Sequence, residues 1–128
     1  MAPPATPAPS VAPSPLVFDK SFFLSRLEGD VALGNEIIEM FLQESPKLLD
    51  GVRRAAEQGD PKLLERAAHA LKGSVGDISA PQACAAARTL EALAREGKMD
   101  GVAAGVKTLE SALDCLVMEL RNFAKEHA

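Results

Sequence analysis

The sequence has no Trp, no Tyr, five Phe, two Cys and two His among its 128 residues. Strands draw on β-branched and aromatic side chains, so this scarcity, in a chain rich in Ala and Leu, argues against sheets and for helices. No uninterrupted apolar run approaches the roughly 20 residues that cross a bilayer. No basic segment followed by an apolar core opens the chain, so neither a membrane span nor a secretory signal is expected. The formal net charge of −4 lacks the basic excess of a nucleic-acid binder. Cys84 and Cys115 lie in Ala/Leu-rich segments and are expected as small buried hydrophobes in a reducing compartment, which points to the cytoplasm. The length suits one domain with one core.

Six of the nine prolines and no charged side chain fall in residues 1–16. Proline removes backbone donors and disfavours helix at the residue before it, so this stretch is expected to be an unstructured tail or linker ahead of a domain at 17–126. From Phe18 the pattern is helical. A short first helix starts after Asp19 and stops at Glu28-Gly29. Asp30 caps a long second helix whose Leu33, Ile37, Phe41, Leu48, Leu49 and Val52 recur at three and four residues. Pro46 should kink this helix without ending it. Gly59-Asp60-Pro61 closes it and opens a third helix, from about Pro61 to Ile78. A break at Ser79-Ala80-Pro81 leads to a fourth helix ending at Glu96-Gly97. The last opens near Asp100 and carries Val102, Val106, Leu109, Leu113, Leu116, Leu120 and Phe123. Short connections make successive long helices antiparallel neighbours. The expected fold is all-α, an antiparallel up-down-up-down four-helix bundle with a short extra N-terminal helix.

Candidate chemistry narrows to one side chain. His127 is penultimate and is expected at a frayed, solvated helix end. His69 sits in Glu65-Arg66-Ala67-Ala68-His69-Ala70-Leu71-Lys72-Gly73-Ser74. Residues three and four apart share a helix face, so Glu65, Arg66, Lys72 and Gly73 flank His69, with Lys62 and Gly76 one turn further out. Leu64, Ala68, Leu71, Val75 and Ile78 fall mostly on the other side, which leaves His69 on the exposed face. An exposed imidazole is mostly neutral at pH 7 and keeps one nitrogen free as a nucleophile. Lys72 and Arg66 could each pair with a phosphoryl group there. Glycine inside an exposed helix costs about 1 kcal/mol relative to Ala. Gly73 therefore serves either a partner's close approach or close packing between helices, and position alone favours neither.

The stretch Ala68-His69-Ala70-Leu71-Lys72-Gly73-Ser74 resembles the signature of histidine-containing phosphotransfer domains, roughly His-x-Leu-Lys-Gly-Ser/Ala. Leu27-Glu28-Gly29-Asp30, Glu36-Ile37 and Phe41-Leu42 look like that family's opening helices. Gly59-Asp60 before the His helix, and Leu90-Glu91, Arg95 and Gly97 after it, also fall where the family places them. The resemblance spans about residues 18 to 123. Asp77 and Ser79 stand where members often carry Asn and Gly, a departure at the end of the His helix.

The resemblance implies a phosphorelay carrier. His69 would take a phosphoryl group through Nε2 from a receiver domain's aspartate and pass it to a second receiver, with sensor or hybrid kinases upstream. Lys72 and Arg66 would stabilise the phosphate, and Gly73, Gly76 and Glu65 would line the docking face. Phe22, Phe23 and Ile37 are candidates to rim that face, though each is expected first in the core. No metal or cofactor is expected on this chain; magnesium belongs to the receiver. Neither a Gly-x-x-x-x-Gly-Lys-Ser/Thr loop nor a Gly-x-Gly-x-x-Gly turn is present, so no enzymatic activity, autophosphorylation included, is expected. Phosphoacceptance within a sensor or chemotaxis-type kinase, or a non-catalytic helical adaptor, are the competing functions. A bundle di-metal site would need a second Glu/His set that the sequence lacks. A monomer that binds no nucleic acid and inserts in no membrane completes the expectation.

Overall fold

In the computed structural model, residues 16–127 are described and every regular element among them is helical. Most of the proline-rich stretch, residues 1–15, lies outside the described residues. Helix α1 is Lys20–Arg26, α2 Val31–Gln58, α3 Pro61–Asp77, α4 Pro81–Arg95 and α5 Val102–Glu126. Three of the starts are set by aspartates. Asp19 accepts from Phe22 N at 3.1 Å, Asp30 from Leu33 N at 3.0 Å and Asp60 from Leu63 N at 3.1 Å. Each satisfies one of the orphan donors at a helix start. Helix α4 has no such side chain; instead its Gln82 N–H donates to the Leu16 carbonyl at 3.0 Å. Gly59 ends α2 with φ +65°, a conformation open to glycine at no steric cost. Asp100 lies in a 3₁₀ turn, Met99–Gly101, and the last α-helix begins two residues later than expected.

Helix α2 runs unbroken through Pro46, whose ring is on the exposed side. There a missing N–H leaves its carbonyl partner to water rather than to the core. Helix α3 packs on α2 and α4, and α5 packs on α4 and α2, so each long helix has two long neighbours. Gly105 permits the α4–α5 approach: a Cβ there would lie 2.7 Å from Leu90 Cδ2. The enclosed core is aliphatic, built from Ile38, Val52, Leu64, Leu71, Val75, Leu90, Leu109, Leu116 and Leu120. At one end Phe18, Phe23 and Phe123 meet edge to face, with centroids 5.5, 5.9 and 6.2 Å apart.

Several side chains depart from their expected places. Phe22 is 54% exposed whereas Phe23 is buried, because adjacent positions on α1 point 100° apart and only one meets the core. Ile37 is half-buried. Cys115 is exposed and Cys84 half-buried, both with free thiols; Cys115 falls outside the stripe Leu109, Leu113, Leu116, Leu120. His127 is not a frayed end. Its ring stacks on Phe123 at 4.2 Å, and its carbonyl accepts from Asn35 Nδ2 at 3.2 Å, pinning the end of α5 to the start of α2.

Candidate functional site

Helix α3 buries Leu64, Ala68, Leu71 and Val75, and that stripe turns His69 outward. The His69 side chain is 68% exposed. Its Nδ1 lies 2.6 Å from Oε2 of Glu91, a residue of α4. Lys72 Nζ donates to the other oxygen, Glu91 Oε1, at 2.7 Å. Arg95, one turn further along α4, places Nη2 3.5 Å from Glu91 Oε2 and donates from Nε to Glu65 Oε2 at 3.0 Å. One carboxylate therefore gathers an imidazole, an ammonium and a guanidinium.

The Glu91 side chain is 6% exposed. Its carboxylate oxygens are covered by its three polar partners. The hydrogen bond from Lys72 holds its carboxyl below the usual range, helped by the one from His69, while loss of solvent pulls the other way. Glu91 is thus ionised at neutral pH, and an ionised carboxylate only accepts hydrogen bonds. The proton in the 2.6 Å contact must then belong to His69 Nδ1. In the neutral imidazole this leaves Nε2 unprotonated, on the exposed edge of the ring.

The other expected site residues divide into two groups. Lys72 is within reach of the imidazole but is not a free surface charge: its side chain is 28% exposed and bound to Glu91. Glu65 is tied to Arg95. Arg66 is exposed on the opposite flank of His69 and has no ion-pair partner within 4 Å among the described residues. Gly73 and Gly76 face open space, with nothing within 4 Å of a Cβ built on either. Helix packing therefore does not account for Gly73. Glu91 is the residue that motif reasoning passed over as chemistry. Its signal was a carboxylate on the stripe Ala83, Ala87, Leu90, Ala94, where every other member is apolar and buried.

Comparison with known proteins gives the family and the fold. The profile of the Hpt domain family matches residues 36–120, well over half of the chain. No curated protein matches. Among solved structures, histidine-containing phosphotransfer protein B (HptB) from Pseudomonas aeruginosa PAO1 superposes with a TM-score of 0.81 at 20% identity, covering 88% of this chain and 98% of that one. At that identity the match speaks for the fold. The chain belongs to the Hpt domain family, the histidine phosphotransfer carriers of phosphorelays.

Proposed function

We propose that His69 is the phosphoacceptor, and that its Nε2 is the atom that takes the group. The observation that carries this is the Nδ1···Glu91 contact at 2.6 Å on an otherwise exposed ring. A carboxylate that fixes the proton on one nitrogen selects the other as nucleophile. Nε2 attacks the phosphorus of a receiver's aspartyl phosphate in line. A P–N bond forms, the acyl phosphate P–O bond breaks, and the aspartate leaves as carboxylate. The ring then carries a positive charge that Glu91 balances through the Nδ1–H, and the second receiver's aspartate reverses the step. Phosphoryl transfer is mainly positioning and charge compensation, which a bundle with one nucleophile can supply.

Lys72 can extend from Glu91 toward the phosphoryl oxygens as they arrive, and Arg66 can approach them from the other flank. The partner surface takes in Gly73, Gly76 and the exposed Phe22, with Glu65 held back by Arg95. The partners are receiver domains, which contribute magnesium, and a sensor or hybrid kinase. On this reading the chain is a monomeric cytoplasmic carrier with no catalytic turnover of its own. The packing order of its helices fits an up-down-up-down bundle led by a short helix. Among the described residues no helix is long and apolar enough to cross a membrane.

The test uses receiver domains loaded with acetyl phosphate and magnesium. Wild-type protein should gain acid-labile, alkali-stable phosphate and His69→Gln should gain none. Label of that kind persisting in His69→Gln would remove His69 from the role.

A further inference from the structure

Between α2 and α3, on the Gly73 side of His69, lies a depression of about 190 Å³ lined by Ile37, Met40, Phe41, Glu44, Ser74, Asp77 and Ile78. It is smaller than the roughly 300–1,000 Å³ of sites that enclose small molecules, and it suits one side chain of a docked protein. Its floor is apolar: Phe41 and Ile78 are buried beneath it. Met40 stands on its rim 68% exposed. The only charged side chains in its lining are two carboxylates, Glu44 from α2 and Asp77 from α3. Neither has an ion-pair partner within 4 Å among the described residues. Arg26 comes near, but its long contacts, 3.4 and 3.5 Å, are to the backbone carbonyls of Asp77 and Gly76, and its guanidinium lies 5.7 Å from the Phe22 ring.

The depression begins beside the site, at Ser74 next to Gly73. Ser74 is five residues and Asp77 eight residues beyond His69 on one helix, or about 8 and 12 Å along its axis. The surface between them is opened by Gly73. A receiver seated on His69 with an interface of ordinary size, about 800 Å² a side, reaches this slot. Covering it brings two carboxylates out of water, which is unfavourable unless the partner supplies positive charge.

We propose that Glu44 and Asp77 are specificity determinants. They select receiver domains whose docking surface presents an apolar side chain for the slot with a Lys or Arg beside it, and they disfavour receivers with an acidic residue there. This rests on His69 being the phosphoacceptor, and it adds which receivers are served. Asp77 supplies charge that the reaction at His69 does not use.

The test takes the loaded receiver that phosphorylates wild-type protein fastest and measures kcat and KM for transfer to His69. Glu44→Lys with Asp77→Lys should raise KM by about tenfold with kcat nearly unchanged. Glu44→Gln with Asp77→Asn should raise it less and flatten its dependence on salt. Replacing the receiver's Lys or Arg at the docking surface by Glu should restore KM with the doubly reversed variant. Melting curves confirm that each variant is folded. An unchanged KM in the reversed variant, or a receiver charge swap that rescues nothing, overturns the proposal. Failure of wild-type His69 to become labelled would strike the phosphoacceptor assignment instead, so the two failures are distinguishable.

Discussion

The two flanks of the His69 helix differ in almost every respect. Toward α4, Lys72, Glu65, Glu91 and Arg95 close with His69 into one network with contacts of 2.6 to 3.5 Å. Toward α2, Arg66 has no ion-pair partner within 4 Å among the described residues, Gly73 bears no side chain, and Glu44 and Asp77 face a shallow apolar slot. The satisfied flank fixes the imidazole, because a ring held by a charge-assisted hydrogen bond has one tautomer and one orientation. On the proposed function the unsatisfied flank is the one a partner covers, because bare backbone and unpaired charge gain most from being covered. On that reading the flank toward α4 orients the nucleophile and the flank toward α2 meets the partner.

Substitutions can break that division. The largest effect belongs to His69→Gln, which should abolish phosphate uptake and leave the fold intact, since the side chain is mostly exposed. Glu91→Gln should come next. A neutral amide cannot accept from both His69 and Lys72 with equal strength, so kcat should fall by about 10- to 100-fold with little change in KM. If KM moved instead, the α4 flank would belong to docking.

Lys72→Met should lower kcat by about tenfold and also cost about 1.5–3 kcal/mol of stability, the scale of a hydrogen bond to a charged group. Because Glu91 is depressed in the folded state, the network's contribution is full above the ordinary carboxylate pKa near 4.5 and is lost as pH falls through the lowered value. The melting-temperature gap between wild type and Lys72→Met should therefore narrow in acid. Gly73→Asp should leave stability within about 1 kcal/mol while raising KM for receivers, since a Cβ there meets open space. A large stability loss would make Gly73 a packing residue after all.

Much of this was legible in the sequence. Asp19, Asp30 and Asp60 announced helix starts because a cap acts on N–H groups two or three residues away. The outward turn of His69 followed from the stripe Leu64, Ala68, Leu71, Val75. What periodicity cannot show is which residue of a neighbouring helix lies opposite. Glu91 is 22 residues from His69, and the two meet only through the register of α4 against α3. For the same reason Phe22 read as core and His127 as solvated. Their neighbours, solvent and Phe123, are set by packing between elements. The even choice left at Gly73 also needed coordinates, which show empty space above it.

The most direct measurement is nitrogen-15 NMR of the His69 ring in the unphosphorylated and phosphorylated protein near neutral pH. The account predicts a proton on Nδ1, an unprotonated Nε2 in the resting state, and phosphorus bonded to Nε2 after transfer, with the resting tautomer preference weakened in Glu91→Gln. A ring protonated at Nε2, or phosphorus on Nδ1, would contradict it.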